Sequence, residues 1–325
     1  MNKSRRKYIE SCEISEVKEV VLAGYKQKIA IEGKRKNLPV VLCLHGGPGS
    51  PVPFSVGCRG MFPDFTDRAV MVYWDQLGCG INNFPIDDGF TIESFVDMTV
   101  DLIEELRSLF PENGLYLFGM SWGSILAFKA CLRVPELLSG VFVYGQFLKN
   151  NFFSGEVSAA FSDAPDKVKR QIERIVKTGG DCEYKVLDKN LQTLNKNLRK
   201  YTNAYFNKNS QPIKIGAIVK GLLTSPDYSF KDFKAVVKNG YRSNQSLWRE
   251  LLSIDFTKSF DGIKIPYRIY QGDTDIVTST NTVLEAVKNS GNGNVSIKII
   301  ENSGHMPSAA GMEEVLGGLI KFIQC

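Results

Sequence analysis

The chain has 325 residues, with 40 Lys+Arg against 35 Asp+Glu, 2 histidines and 7 cysteines. A hydrophobic content of 43% and a charged content of 23% are ordinary globular values and exclude disordered or fibrous architectures. The net charge of +5 is too small and too dispersed to specify nucleic acid as a partner, and the length suits one large domain or a core domain with a substantial insertion.

Val17 to Leu22 and Tyr25 to Ile31, joined at Ala23-Gly24, read as an antiparallel hairpin. Leu38 to Leu44 and Ala69 to Trp74 are continuous apolar runs, which suits strands buried on both faces of a largely parallel sheet. Thr91 to Phe110 carries apolar residues at helical spacing, with Thr91 placed to start the helix. A strand over Gly114 to Phe118, a helix over Ser124 to Val134 and a strand over Gly140 to Tyr144 follow. Beyond Gly145 the character changes. Residues 147–262 hold 20 Lys+Arg against 12 Asp+Glu, a net of +8, and the remainder holds 20 against 23, a net of −3. Amphipathic stretches at Pro165 to Lys177 and Tyr184 to Phe206 predict helices in that segment. Alternation then resumes with strands over Ile265 to Tyr270 and Val295 to Ile300, and helices over Thr280 to Lys288 and Glu313 to Ile323. The pattern predicts an α/β core, residues 1–146 and 263–325, interrupted by a mostly helical insertion over 147–262.

The cysteines are odd in number and none pairs as C-x-x-C; with so few histidines, a zinc cage has little to be built from and no metal is expected. They read as the reduced thiols of a cytoplasmic protein. The basic start MNKSRRKYIE runs into no apolar h-region, which argues against a signal peptide. Nothing approaches the roughly 18 apolar residues of a membrane span, so no membrane partner is expected.

In an α/β core, ligands bind beyond the carboxyl ends of the strands. Four predicted strands end there in reactive residue types. Gly114 to Phe118 runs into Gly119-Met120-Ser121-Trp122-Gly123 and then a helix, the strand-turn-helix setting that gives G-x-S-x-G its meaning as a nucleophile elbow. Leu38 to Leu44 runs into His45-Gly46-Gly47-Pro48-Gly49, whose glycines free the backbone to aim N–H groups inward. The N–H groups of Gly47 and Trp122 are thus the expected oxyanion hole. Ile265 to Tyr270 leads to Asp273 and Asp275, and Val295 to Ile300 leads to His305. The order Ser121, Asp275, His305 is that of the α/β-hydrolase triad, with Ser121 as nucleophile, His305 as base and Asp275 orienting the base. Asp273 is assigned to the turn, and His45 to a structural role under its loop.

Taken together, HGGPG at His45 to Gly49, Asp75-Gln76-Leu77-Gly78-Cys79-Gly80 after the Trp74 strand, and GMSWG at Gly119 to Gly123 closely resemble the proline iminopeptidase family, a branch of the α/β-hydrolase fold (peptidase family S33). The resemblance implies an eight-stranded, mostly parallel sheet, a helical cap over the site and no cofactor. It also implies release of an N-terminal residue from small peptides through an acyl-enzyme on Ser121, with Asp275, His305, Gly47 and Trp122 in the roles above. The chain departs from the family in detail: members typically read DQRGxGRS, here DQLGCGIN, and many carry Arg-Gly where Tyr144-Gly145 stands.

An aminopeptidase must also recognise a free α-ammonium, most simply with carboxylates. In a basic insertion the candidates are Glu156, Asp163, Glu173, Glu183 and Glu250, and nothing singles one out. Two alternatives therefore stand beside the peptidase: an esterase or amidase acting on a small substrate without a free amine, and a ligand-binding member of the fold without turnover.

Overall fold

The two apolar runs that the sequence marks as doubly buried strands lie side by side at the centre of one eight-stranded sheet. The computed structural model describes residues 3–213 and 215–324, so Cys325 lies outside the described residues. The strands are β1 Ile14–Leu22, β2 Tyr25–Gly33, β3 Val40–Leu44, β4 Val70–Trp74, β5 Leu115–Met120, β6 Gly140–Tyr144, β7 Tyr267–Gly272 and β8 Val295–Ile300. Their spatial order is β1-β2-β4-β3-β5-β6-β7-β8. The β1–β2 hairpin is antiparallel, with Leu22 opposite Tyr25, and β2 meets β4 antiparallel. All other neighbours are parallel.

Every residue of β3, β4 and β6 is buried, because helices cover both faces of the sheet centre. Successive side chains alternate between two layers: Val40, Leu42 and Leu44 join the apolar cluster on one face, and Val41 and Cys43 the cluster on the other. On the first face the long helix Ile92–Leu109 starts from Thr91, whose hydroxyl accepts from the Ser94 N–H in a reciprocal cap. Among the described residues no helix is long and apolar enough to cross a membrane.

Three of the departures from the sequence expectation have a local reason. β5 runs on to Met120 and the next helix begins at Trp122, so Ser121 alone makes the turn. The last helix begins at Ala309, because Ser308 accepts the Gly311 N–H and caps it four residues before Glu313. The basic start folds as a helix, Lys3–Glu10, held by the buried Arg5, which donates to the carbonyls of Gly57, Arg59 and Gly221.

Between β6 and β7 the described residues form helices and no strand: Gly155–Ala159, Asp166–Thr178, Tyr184–Tyr201, Ile215–Leu223, Phe230–Val237 and Gln245–Ser253. They do not pack as one body. Val157, Phe161, Ile172, Ile175, Leu194, Leu198 and Ala204 form a cluster of their own. Tyr241, Leu247 and Leu251 instead belong to the cluster under the sheet. The helix expected over Tyr184 to Phe206 stops at Tyr201, and the bent segment after it turns its carbonyls toward the loop that carries His305.

Candidate active site

Ser121 sits at φ 51° and ψ −117°, a left-handed conformation that is strained for a residue with a Cβ. The turn is tight enough that its flanking glycines are obligatory. A Cβ on Gly119 would lie 2.8 Å from the Gly123 carbonyl oxygen, and one on Gly123 would lie 1.9 Å from the Leu44 carbonyl oxygen. Trp122 opens the helix Trp122–Arg133, so its N–H has no partner within that helix and lies at the positive end of the dipole. The His45–Gly49 loop lies directly over the serine: a Cβ on Gly46 would come within 3.4 Å of the Ser121 Cβ. Gly47, at φ 126°, has no room for a side chain, since a Cβ would meet the Gly49 nitrogen at 2.5 Å.

His305 Nδ1 lies 3.0 Å from Asp275 Oδ2, and both residues are buried. Asp275 is held on every side that does not face the imidazole. Its Oδ1 accepts the N–H groups of Val277 (2.8 Å) and Thr278 (3.0 Å), and its Oδ2 accepts the Thr278 hydroxyl (2.6 Å). These donors fix its orientation. Asp273 has the separate role the sequence assigned it. Its carboxylate accepts the N–H groups of Asn302 and Ser303, both at 2.9 Å, and so shapes the loop leading to His305. That loop is fastened further by the Tyr144 hydroxyl, which donates to the Gly304 carbonyl at 2.6 Å.

The second histidine is enclosed. His45 Nδ1–H donates to the Gly46 carbonyl at 2.8 Å and Nε2 accepts the Gln76 N–H at 3.0 Å; burial pulls its pKa from 6.5 down to about 4. The Gln76 side chain continues the chain of bonds. Its Nε2 donates to the His45 carbonyl at 3.2 Å and its Oε1 accepts the Trp122 indole N–H at 2.8 Å. The glycine loop and the helix behind Ser121 are thereby held at a fixed spacing. Asp75, wholly buried, accepts the N–H groups of Val56 and Ile81 and the hydroxyl of Tyr228 from the insertion. Burial pushes its pKa up to about 6, partly offset by those three donors.

Ser121 and His305 open onto one cavity of about 210 Å³, whose wall also includes Gly47, Trp122 and Tyr144 from the strand ends. The insertion supplies most of the remainder, including Leu191, Leu194 and Leu198 from the helix Tyr184–Tyr201, and Trp248 and Leu251 from Gln245–Ser253. None of the five carboxylates considered for an α-ammonium is on that wall. Glu156 is engaged by Asn151, Ser279 and Asn281, and Glu250 accepts the Ile92 N–H at the start of a core helix. Asp163, Glu173 and Glu183 are exposed.

Comparison with known proteins identifies the fold that carries this site. A family model described as the alpha/beta hydrolase fold matches residues 39–309. The chain belongs to that family. Among curated relatives, the probable aminopeptidase YbaC of Bacillus subtilis (strain 168) is 34% identical over 127 residues, 38% of this chain and 39% of that protein. The chain is thus matched to well under half the length of this relative. A proline iminopeptidase of Lactobacillus helveticus is 24% identical over 288 residues, 87% of this chain and 89% of that protein. Among solved structures, the proline iminopeptidase of Mycobacterium smegmatis superposes with a TM-score of 0.65 at 15% identity, over 95% of this chain and 98% of that one, a likeness of fold. The chain is therefore a proline-iminopeptidase-like α/β-hydrolase.

Several residues of this α/β-hydrolase site escape a reading of the sequence. Gln76 was visible only as part of a motif; its contacts with His45 and Trp122 give that motif a physical reason. Asn82, one of the departures from the family pattern, is held by both backbone groups of Lys28 on the neighbouring strand and by the Asp75 carbonyl. Tyr205 has no motif at all. It packs against the His305 ring at 5.5 Å between centroids, on a segment whose Ala204 carbonyl accepts the His305 N–H at 2.8 Å.

Proposed function

We propose that this α/β-hydrolase is a serine hydrolase working through an acyl-enzyme, with Ser121 as nucleophile, His305 as general base and Asp275 as its orienting acid. The observation that carries the reading is the convergence of Ser121 and His305 on one cavity wall, with His305 tied through Nδ1 to Asp275. A hydroxyl is a poor nucleophile at neutral pH, so the base must take its proton as the bond from Ser121 Oγ to the substrate carbonyl carbon forms. The oxyanion would be received by the N–H groups of Gly47 and Trp122. His305 then returns the proton to the leaving amine or alcohol as the scissile bond breaks. A water, deprotonated by His305, attacks the acyl-enzyme carbonyl, and His305 returns the proton to Ser121 Oγ as the acyl–Oγ bond breaks and the acid leaves. In this reading residues 1–146 and 263–325 form the catalytic core, 147–262 form the cap, and the buried thiols suit a cytoplasmic setting.

The finer reading, an aminopeptidase of proline iminopeptidase type acting on small peptides, is supported by the motifs and by the names of the relatives. The esterase or amidase reading is supported by the position of the five carboxylates, all away from the cavity. Labelling by a fluorophosphonate probe of the wild type, and not of Ser121→Ala, tests the serine chemistry. Unlabelled wild type sinks it. Proline β-naphthylamide beside a short p-nitrophenyl ester separates the two finer readings.

A further inference from the structure

The wall around Ser121 has a chemistry of its own. Helix Tyr184–Tyr201 turns Leu191, Leu194 and Leu198 into the cavity at i, i+3 and i+7, and Trp248 and Leu251 do the same from Gln245–Ser253 at i and i+3. Phe152 closes a further side. No lysine, arginine, aspartate or glutamate is part of this wall among the described residues. Besides His305, its polar side chains include the neutral Ser50, Ser121, Asn195 and two tyrosines.

Apart from the Asp275 carboxylate, which lies behind the wall and is engaged by His305, the charge that stands against the wall from outside is positive. The Arg199 guanidinium stacks over the Tyr205 ring at 3.7 Å and its Nε donates to Asn195 Oδ1 at 3.1 Å, and both of those residues line the cavity. Tyr205 in turn packs against His305. A substrate α-ammonium placed beside Ser121 would lose its water, find the Asp275 carboxylate already engaged behind His305 and meet the Arg199 cation near the wall. An unpaired buried charge is costly, and a like charge nearby adds to that cost. A hydrocarbon acyl chain loses nothing there and gains burial against leucine and tryptophan side chains.

Resting on the serine-hydrolase reading, we propose that this site accepts an uncharged, apolar acyl group, an ester or amide of a small carboxylic acid with no free α-amine, and that Arg199 at the cavity rim helps to exclude amines. The preferred acyl group is the one seated among Leu191, Leu194, Leu198 and Trp248, and hydrolysis releases it as the free acid.

The test is a pair of substrates that differ only in the ammonium group: the p-nitrophenyl esters of L-leucine and of 4-methylpentanoic acid. Rates are divided by the uncatalysed rate of each ester, because the ammonium group activates the leucyl ester in water. The expected kcat/KM ratio favours the 4-methylpentanoyl ester by about 100-fold or more, and Arg199→Glu, an exposed charge reversal, lowers that ratio at least tenfold. Equal rates, or preference for the leucyl ester, overturn the acyl-group proposal while fluorophosphonate labelling of Ser121 leaves the serine chemistry standing. A ratio unchanged in Arg199→Glu overturns the role given to Arg199. Failure of labelling together with no turnover of either ester, in wild type as in Ser121→Ala, overturns the serine-hydrolase reading and this proposal with it.

Discussion

Replacing His45 by glutamine should reshape the dependence of stability on pH without removing the catalytic machinery. In the folded chain the His45 imidazole is buried, both ring nitrogens are bonded, and its pKa falls from 6.5 to about 4. Between those two values the unfolded chain binds a proton that the folded chain refuses. Stability from this group is therefore complete above pH 6.5, declines as the pH falls, and is lost by the time the pH has passed through 4. The shift corresponds to about 3 kcal/mol. Glutamine does not titrate, and at pH 7 it can keep at most one of the two hydrogen bonds, at a cost of about 1–2 kcal/mol. The two stability curves should then cross near about pH 5.5, with the variant the more stable at lower pH. Urea unfolding of both proteins from pH 7.5 to 4.5 at constant ionic strength measures this. The difference between the curves is the quantity to read. Asp75, pushed up to about 6, acts with the opposite sign: the folded chain holds its proton more tightly, so stability falls as the pH rises toward 6. That contribution cancels in the subtraction. Curves that stay parallel over the whole range would refute the enclosure of His45. Fluorophosphonate labelling should survive in His45→Gln and vanish in His305→Gln; the reverse result would transfer the base assignment to His45.

Gln76→Leu leaves the Trp122 indole N–H and the His45 carbonyl without their side-chain partner, so denaturant melts should show a loss of about 2–4 kcal/mol. Ser121→Gly releases a residue held at φ 51° and should unfold at higher denaturant than Ser121→Ala, by about 1 kcal/mol, with both inactive. Equal midpoints would remove the strain argument. Asp275→Asn faces the Val277 and Thr278 N–H groups with an amide and withdraws the charge from His305; kcat should fall by about 10⁴ while KM moves little, and steady-state kinetics on the preferred ester reads both.

The residues proposed for the chemistry were legible because each is announced by its own neighbours in the chain. Gly119 and Gly123 are required by carbonyls within 3 Å, so the elbow leaves its mark in the sequence as glycines around Ser121. The histidine beyond β8 and the aspartate beyond β7 follow from the rule that parallel strands end at the ligand. The sheet was legible for the same kind of reason, since strands buried on both faces are unbroken apolar runs. The wall of the cavity had no such signature. Leu191, Leu194 and Leu198 repeat at the spacing of any helix that faces a core, and Leu194 and Leu198 do belong to one. Whether such a face meets protein or ligand depends on how the insertion folds back, which periodicity does not encode. The helices Ile215–Leu223, Phe230–Val237 and Gln245–Ser253 were missed as individual elements, being 9, 8 and 9 residues long.

That fold-back joins the cavity wall to the position of the proposed base. The segment after helix Tyr184–Tyr201 offers three consecutive carbonyls to the loops that carry Asp275 and His305: Asn203 accepts the Thr274 hydroxyl at 2.9 Å, Ala204 the His305 N–H at 2.8 Å and Tyr205 the Met306 N–H at 2.9 Å. The approach is so close that a Cβ on Gly304 would lie 2.7 Å from the Asn203 oxygen. The helix that lines the cavity with leucines thus continues directly into the strap that holds His305 in place. A substitution that shifts this helix to admit a larger acyl group would also shift the imidazole relative to Ser121. Misplacement of a catalytic group by about 1 Å can cost about 10² in rate. Changes in acyl preference are therefore expected to need compensation in the 202–206 strap, and shape changes confined to Trp248 and Leu251, which lie on a different helix, should alter KM with less effect on kcat.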